Sequence, residues 1–344
     1  MKVRFFTLLM ILLLTISLSL PVLTLAQSDD TSSPFTLYSS DPVVLHSDSF
    51  SDWDGRYTDP GAVFYHDGLF HMFRNGFRAW PAAVQIGYLT SPDGLTWTEV
   101  SAEPVLFSAD VAFTDLAALA SSALVTDDGT WMLYFYTWSS SRPPKSEIGL
   151  ATAGNPLGPW KVHPEPVLTL GSAGAWDDTQ ITAPSVVRTD DGYAMYYSAS
   201  DANQVDYIGM AASPDGITWT KHDDPATSEA PFAESDPLFG STEDGVRYHQ
   251  PRVERTDEGL VMVFRTAVPG RPQMTLRVAT SSDGMTWNIV SDEPVWERTS
   301  IPNSSGFWFT ATAYHEGTLY LYVEGGRNSY TDVYVATSSQ SFFE

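Results

Sequence analysis

One short motif returns at regular intervals along the chain, and this repeat constrains the fold more than any other feature. In each copy a tight turn ending in glycine joins two apolar runs, and the five turns are residues 65–68, 126–129, 189–192, 256–259 and 314–317. A second hairpin follows each of the first four copies. The chain therefore contains five units of about four strands each, and no stretch shows a sustained helical period.

Four-stranded units repeated in this way are typical of a β-propeller. The sequence predicts an all-β fold, a five-bladed β-propeller of four-stranded antiparallel blades that spans residues 43–344. The fifth copy lacks its outermost strand, because the chain reaches 338–340 without a further hairpin. We expect Val43-Val44-Leu45 to supply that strand, so that an N-terminal strand closes the ring and removes the free sheet edges.

The N-terminus has the pattern of a secretory signal. Lys2 and Arg4 precede an apolar run, and small residues lead to the junction at Ala26-Gln27. This order predicts a signal peptide at 1–26, a flexible polar lead-in at 27–42, and a secreted protein, extracellular or periplasmic. The alternative is that the same segment is an uncleaved membrane anchor. No later segment is long and apolar enough to span a bilayer.

Composition excludes several classes of partner. The formal net charge is −24, which repels phosphate backbones and anionic lipid, so we expect no nucleic-acid partner and no membrane partner after signal cleavage. There is no cysteine, so disulfides and thiolate metal sites are impossible. Eleven Trp and 16 Tyr suit a carbohydrate partner, because their rings also stack on sugars. We expect a monomer that requires no cofactor, although an axial cation such as calcium is compatible with the charge.

The second-hairpin turns have the form Ser-x-Asp-Gly-x-Thr-Trp at 91–97, 213–219 and 281–287. In such a turn Asp binds nearby backbone, Gly supplies the positive φ and Trp packs between blades. Because the pattern recurs from blade to blade, we assign these turns a structural role.

Asp59 stands out because the repeat does not reproduce it. Counting back from the hairpin glycines aligns Asp59-Pro60 with Ala120, Ala183, Gln250 and, more loosely, Trp308. These positions begin the innermost strands, which converge on the propeller axis. A structural requirement would be met similarly in every blade, so the single acid is our candidate for a catalytic residue. The alternative is that Asp59 only caps a local turn before Pro60.

The loops after the second strands should lie on the same face as Asp59. They carry the planar donors, acceptors and aromatic rings that bind a polyhydroxyl ligand. The predicted substrate-binding residues are Arg74, Asn75, Trp80, Trp138, Asp201, His249, Arg265, Glu324 and Arg327. His249, which lies just before Gln250-Pro251 near the axis, is open to three interpretations: binding a hydroxyl or water, binding a central cation, or being a satisfied inner histidine.

Together, the five units, the Asp-Pro of the first inner strand and the Ser-x-Asp-Gly turns resemble the five-bladed propeller glycosidases of families 43, 32, 62 and 68, with family 130 as a relative. The resemblance implies a glycoside hydrolase in which Asp59 is the general base, as in family 43, or the nucleophile, as in family 32. The family 43 Ala-Pro-Asp of the second blade is Ala120-Ser121-Ser122 here, and its Glu-Gly-Pro of the third blade is Thr182-Ala183-Pro184. Neither family 32's Arg-Asp-Pro nor its Glu-Cys is present.

Glycoside hydrolysis normally requires two carboxyl groups, so Asp59 needs a partner from another position. Our candidates are Asp178, Glu243 and Glu324. Two other hypotheses remain open at this point. One is a non-catalytic propeller that binds glycans at the same mouth, and the other is a structural or protein-binding propeller.

Overall fold

The computed structural model of the protein describes residues 33–80, 84–142, 144–241, 245–268, 274–327 and 329–343. The predicted signal peptide at 1–26 and the predicted acid Glu243 fall outside these ranges. The side chain of Arg327 is likewise outside the described part of the chain.

Strands dominate the described residues, which contain no α-helix and two short 3-10 helices, Ser108–Asp110 and Arg298–Ser300. The all-β fold class is therefore confirmed. In chain order the strands are β1 Thr36–Leu37, β2 Tyr57–His66, β3 Leu69–Phe77, β4 Gln85–Ser91, β5 Thr98–Glu99, β6 Leu106–Phe107, β7 Ala117–Val125, β8 Trp131–Trp138, β9 Ile148–Ala153, β10 Lys161–Val162, β11 Gln180–Thr189, β12 Gly192–Ser200, β13 Asp206–Ser213, β14 Thr220–Lys221, β15 Phe239–Gly240, β16 Arg247–Arg255, β17 Leu260–Ala267, β18 Met274–Ser281, β19 Asn288–Ile289, β20 Trp296–Glu297, β21 Thr310–His315, β22 Thr318–Arg327 and β23 Tyr330–Ser338.

The strands form antiparallel meanders in chain order, as the repeat predicts. The first meander is β2–β5, the second β7–β10, the third β11–β14, the fourth β16–β19 and the last β21–β23. One parallel pairing, Tyr57 with Thr331, joins the first and last meanders into a single sheet of nine strands. This arrangement is a propeller-like fold, and the blade count of five stays a prediction because two meanders share one sheet.

An N-terminal strand closes the ring. Strand β1 pairs with β23, and Val44 forms a further bridge to Val333 of the same strand. Phe35, next to β1, is buried in the core that β22 and β23 share. Closure by an N-terminal strand is thus confirmed, but that strand is Thr36–Leu37, in the lead-in that we predicted to be flexible. Of the predicted Val43-Val44-Leu45, Val44 alone forms a bridge to β23, outside any strand.

The Ser-x-Asp-Gly turns lock neighbouring meanders together. In the first of them Asp93 Oδ1 accepts hydrogen bonds from the backbone N–H groups of Leu95 and Thr96, at 2.9 and 2.7 Å. The Tyr322 hydroxyl of the last meander donates to the carbonyl of Gly94 at 2.8 Å. Tyr134 and Tyr196 make the same contact with the turns at Gly216 and Gly284. The structural role assigned to these turns therefore fits the contacts that they make.

A register shift interrupts four of the five innermost strands at the same level. The shifts lie between Asp59 and Ala62 in β2, Ala120 and Ser122 in β7, Thr182 and Ser185 in β11, and His249 and Arg252 in β16. The positions that match Asp59, opposite the residues equivalent to Asn75, are therefore Leu119, Thr182 and His249. Our sequence alignment was one residue off in all three strands, because the turn between β7 and β8 is one residue longer and because the hairpin glycines of β11 and β16 stand one position later in the turn than Gly68.

The cores lie between adjacent meanders, where large apolar side chains such as Trp176, Phe73 and Phe264 are fully buried. None of the described residues belongs to a helix that is long and apolar enough to cross a membrane.

Candidate functional site

Asp59 is buried near the start of β2, with 1% of its surface exposed. Its Oδ1 accepts hydrogen bonds from the Asn75 side-chain amide at 2.8 Å and from the Gly61 N–H at 3.0 Å. Its Oδ2 is buried and has no hydrogen-bond partner. One oxygen therefore fixes the carboxyl group and the other is left without a partner, an uncommon arrangement for a buried polar atom.

The local sequence explains this position. Gly61 has a φ of +53°, and a Cβ there would lie 2.0 Å from the carbonyl oxygen of Phe73, so only glycine fits. Asn75 lies opposite Asp59 in β3 and also bonds both backbone groups of Ala120, its Oδ1 at 2.8 Å and its Nδ2 at 3.1 Å. Asn75 therefore links β3 to β7 and holds Asp59 in place between the inner strands.

The pKa of Asp59 is raised from its ordinary value of 3.8 to about 8. Burial is the main cause, and the negative charge of Glu324 adds to it. The hydrogen bonds from Asn75 and Gly61 and the charge of Arg252 act in the opposite direction. Asp59 therefore carries a proton at neutral pH in this conformation.

Glu324 is the carboxyl group whose charge acts on Asp59, and we call these two residues the carboxyl pair. Glu324 is also buried, and its Oε2 accepts the backbone N–H groups of Trp308 and Phe309 at 3.1 and 3.0 Å. Burial raises the pKa of Glu324 to about 7, against the charge of Arg265. The charge of Glu324 in turn raises the pKa of Asp59.

Two buried arginines supply positive charge beside the carboxyl pair. Arg252 donates through Nη1 to Ser121 Oγ at 2.7 Å and through Nε to the Thr310 carbonyl at 2.6 Å. Arg265 donates through Nη1 to the Trp308 carbonyl at 2.8 Å. Among the described residues no group of three or more His, Asp or Glu side chains could hold a metal ion.

A cavity of about 550 Å³ opens next to this cluster, and we call it the mouth cavity. Two of its tryptophans, Trp80 and Trp308, are 43% and 47% exposed. Tyr136 lines the cavity. Burial raises the pKa of its hydroxyl, and the negative charges of Asp59 and Glu324 raise it further. The lining residues are Trp80, Tyr136, Trp138, Pro144, Thr179, Gln180, Thr182, Ser198, Ala199, Ser200, Asp201, Ala202, Gln204, Asp206, Arg247, His249, Gln250, Arg265, Ala267, Met274, Trp308 and Phe309.

Comparisons with known proteins identify the family of the chain. Residues 50–236, more than half of the chain, match the family described as "Glycosyl hydrolases family 32 N-terminal domain". The chain belongs to this family. No curated protein sequence matches the chain.

Solved structures of glycoside hydrolases share the fold of this family 32 protein. A glycosyl hydrolase from Bacteroides ovatus is 18% identical, with a TM-score of 0.66 over 88% of this chain and 93% of its own. A GH130 structure is 17% identical, with a TM-score of 0.67 over 89% and 94%, and its description names glycoside hydrolases that target β-1,2-mannosidic linkages in Candida mannan. A Bombyx mori GH32 β-fructofuranosidase is 13% identical, with a TM-score of 0.61 over 86% and 61%. At these identities the likeness establishes the fold alone.

Most of the predicted substrate-binding residues of this family 32 protein meet at the mouth cavity. Five of them line it, namely Trp80, Trp138, Asp201, His249 and Arg265. Asn75 and Glu324 do not line the cavity, but they act on Asp59 as described above. Arg327 ends strand β22.

Arg74 is the exception. It donates to Asp54 at 2.6 Å and to Glu99 at 2.7 Å, and its guanidinium lies over the Trp53 ring at 4.6 Å. Successive residues of a strand face opposite sides, so Arg74 points away from the mouth when Asn75 points toward Asp59. The prediction that Arg74 lines the mouth was wrong for this reason.

Asp178 does not join Asp59 either. Its Oδ2 accepts the Gly174 N–H at 2.8 Å and its Oδ1 accepts the Thr179 hydroxyl at 2.9 Å, so it caps a local turn. Of the three candidate partners, the structure brings Glu324 to Asp59, places Asp178 elsewhere and does not describe Glu243.

The second strands of this family 32 protein contain a signal that our sequence reasoning missed. When the runs that begin at residues 70, 131, 193, 260 and 319 are aligned, their sixth residues occupy equivalent positions in the register. We call this set the axial ring, and it consists of Asn75, Tyr136, Ser198, Arg265 and Glu324. The alignment would have identified Tyr136 and would have grouped Glu324 with Asn75.

Proposed function

We propose that this protein is a secreted glycosidase that acts on an oligosaccharide or polysaccharide at the mouth cavity, with Asp59 and Glu324 as its reacting carboxyls. The observation that carries the proposal is the pair of buried carboxyls, Glu324 acting on the pKa of Asp59, next to a cavity walled by Trp80, Trp138 and Trp308. Membership of a glycosyl hydrolase family supports it, as does the basic and apolar pattern of residues 1–26 for secretion.

The protonation of the pair suits glycoside hydrolysis. Because the pKa values are about 8 for Asp59 and about 7 for Glu324, one member keeps its proton near neutral pH while the other is ionised. The protonated member donates its proton to the glycosidic oxygen, which leaves with the electron pair of the broken C–O bond. The ionised member attacks the anomeric carbon or takes a proton from the water that does so.

The pair must become accessible before it can react. Trp80 packs on Phe309 with ring centroids 5.7 Å apart and on Trp138 at 5.9 Å, and we call Trp80 and Phe309 the aromatic cover. Substrate binding would displace Phe309 from Trp80. This movement also releases Glu324 Oε2 from the Phe309 N–H group, so opening the cover and freeing the acid are one event.

A neutral sugar fits the mouth cavity best. Trp80, Trp138 and Trp308 can cover the apolar C–H face of a ring. The charged side chains of the cavity include both signs, since Asp206 and Arg247 form an ion pair within it. The net charge of −24 disfavours polyanionic substrates.

The test compares three variants of equal chemistry. Asp59→Asn and Glu324→Gln remove the two proposed carboxyls, and Glu254→Gln removes a buried carboxyl that does not line the mouth cavity. Hydrolysis is measured on a panel of aryl glycosides and plant and microbial polysaccharides. We expect a loss of about 10³-fold or more in kcat for the first two variants and a change of less than about threefold for Glu254→Gln.

Full activity of Asp59→Asn would refute the assignment of Asp59. Equal losses in all three variants would show that any buried carboxyl supports activity only by supporting the fold. Circular dichroism and thermal unfolding of each variant separate that case from a catalytic effect.

A second function is favoured by one observation. The residues that match Asp59 in the next inner strands, Leu119, Thr182 and His249, include no carboxyl. A non-catalytic glycan-binding propeller would use the same mouth without turnover. It predicts glycan binding that survives Asp59→Asn, is lost in Trp308→Ala and is accompanied by no hydrolysis in the wild type.

A further inference from the structure

Gln250 carries a long amide side chain at a backbone position where a small residue would suffice. It lies in β16 beside the mouth cavity, is 6% exposed, and has a φ of +47°. At the matching position of β11, Ala183 adopts the same left-handed conformation, with a φ of +52°. A small residue therefore satisfies the bulge, and the long amide side chain at 250 has another reason to be there.

The amide oxygen of Gln250 is buried and has no hydrogen-bond partner. The Gln250 backbone N–H, by contrast, donates to Ser198 Oγ at 2.5 Å. An unpaired buried acceptor destabilises a fold, so proteins rarely keep one without a use for it. Such an atom at the wall of a cavity is poised to accept a hydrogen bond from a ligand.

A donor without a partner lies close to this acceptor. Arg265 pairs with His249, the neighbour of Gln250, in the β16–β17 register. Its Nη1 is bound to the Trp308 carbonyl, its guanidinium lies 4.5 Å from the centre of the Trp308 ring, and its Nε is buried without a partner. The mouth cavity thus contains an unpaired acceptor and an unpaired donor beside an exposed tryptophan ring.

We infer that Gln250 is a specificity-determining residue whose side-chain oxygen accepts a hydrogen bond from a ring hydroxyl of the bound sugar. Arg265 Nε donates to the oxygen of an adjacent hydroxyl, and the Trp308 ring covers the apolar face of the same ring. This inference rests on the proposed function and adds a substrate class, namely sugars with two neighbouring free hydroxyls at that face. An analogue without the hydroxyl leaves the Gln250 oxygen unpaired and is rejected for that reason.

The experiment measures discrimination rather than activity alone. Binding of the methyl glycosides of mannose, xylose, arabinofuranose and fructofuranose, and of their monodeoxy analogues, is followed by tryptophan fluorescence and calorimetry. The variant Gln250→Met keeps the length of the side chain and removes the acceptor. The matched control is Gln85→Met, because Gln85 also has a buried, unpaired amide oxygen but lines a different cavity, beside Trp53.

For one deoxy analogue we expect the wild type and Gln85→Met to bind the parent sugar about 10–100-fold more tightly. Gln250→Met should reduce this ratio to below about threefold by weakening the parent sugar only. Its melting temperature should not fall, because the substitution removes an unpaired buried group, whereas the loss of a structural hydrogen bond would lower it.

Two results would overturn the inference and leave the proposed function intact. One is unchanged discrimination in Gln250→Met, which would mean that water satisfies the amide oxygen. The other is an equal loss for the parent sugar and all deoxy analogues. If the wild type binds none of the sugars and hydrolyses none of the aryl glycosides, the proposed function fails together with the inference.

Discussion

The inner strands enclose two buried acidic sites, one at the mouth and one further along the same strands. At the mouth the carboxyl pair adjoins a cavity of about 550 Å³ walled by tryptophans. Further along, Glu254 adjoins a cavity of about 70 Å³, which we call the far cavity, and all five innermost strands contribute to its lining. Burial raises the pKa of Glu254 to about 7.

The difference between the two sites shows what identifies a functional carboxyl. Burial between the inner strands raises the pKa of Asp59, Glu324 and Glu254 alike, so a raised pKa does not distinguish them. The space beside the carboxyl does distinguish them, because the far cavity has the volume of only about two water molecules and cannot hold a sugar. Arg252 lies between the sites and acts on the charges of both Asp59 and Glu254.

The largest expected effect is on the pH dependence of stability, because both sites contain a carboxyl group whose pKa is raised on folding. For a carboxyl whose pKa is raised on folding, stability is greatest below the unfolded pKa and falls as the pH rises through the folded value. We expect the protein to lose roughly 3–5 kcal/mol between pH 4 and pH 9 through Asp59, and roughly 3 kcal/mol through Glu254. Asp59→Asn and Glu254→Gln should each flatten the dependence, as measured by urea unfolding at a series of pH values.

The high net charge also destabilises the fold at alkaline pH, so each variant is compared with the wild type at the same pH. If the free energy of unfolding of Glu254→Gln has the same pH dependence as that of the wild type, folding does not raise the pKa of Glu254. The comparison of the two sites then fails.

The next prediction concerns Asn75, which holds Asp59 in place at the mouth. Asn75→Ala removes the amide that binds Asp59 and both backbone groups of Ala120. We expect a loss of about 2–4 kcal/mol in the free energy of unfolding, because buried backbone groups lose their partners. The control is Asn155→Ala, whose amide stabilises an exposed turn at Gly158 and should cost about 1 kcal/mol or less. Equal losses would contradict the special role of Asn75.

The smallest effect concerns the far cavity. The Thr312 hydroxyl donates to Glu254 at 2.8 Å and lowers the pKa of that carboxyl. Thr312→Val should raise the pKa of Glu254 further and cost about 1 kcal/mol above pH 7, with less effect at pH 5 where Glu254 is protonated in either protein. Glycan binding at the mouth should stay unchanged. A change in sugar affinity would show that the two sites are coupled through Arg252.

The sequence predicts those parts of the fold that local patterns determine. Turn glycines and alternating apolar residues locate the meanders, and the missing outermost strand of the last copy correctly indicates closure by an N-terminal strand, although that strand is Thr36–Leu37 rather than Val43-Val44-Leu45. Asp59 is recognisable from the sequence because the aligned positions in the other copies of the repeat carry no acidic residue.

The rest depends on geometry that the sequence does not show. Strand alternation turns Arg74 away from the mouth, and differences in the hairpin turns moved the matches to Asp59 by one residue, to Ala120, Ala183 and Gln250. Arg252 reaches Ser121 across 131 residues of chain, and no local pattern predicts such a contact. The aromatic cover likewise depends on how Phe309 of one loop meets Trp80 of another.

Closure of the ring by β1 and Val44 has a consequence for the order of events during biosynthesis. The earliest described segment of the chain pairs with β23, the last of its strands, so the ring cannot close while the ribosome is still adding residues before 338. Until then the edge of β22 remains unpaired, and an exposed strand edge invites association with other chains. The ring should therefore close only after β23 has been synthesised, whatever the order in which the other meanders fold.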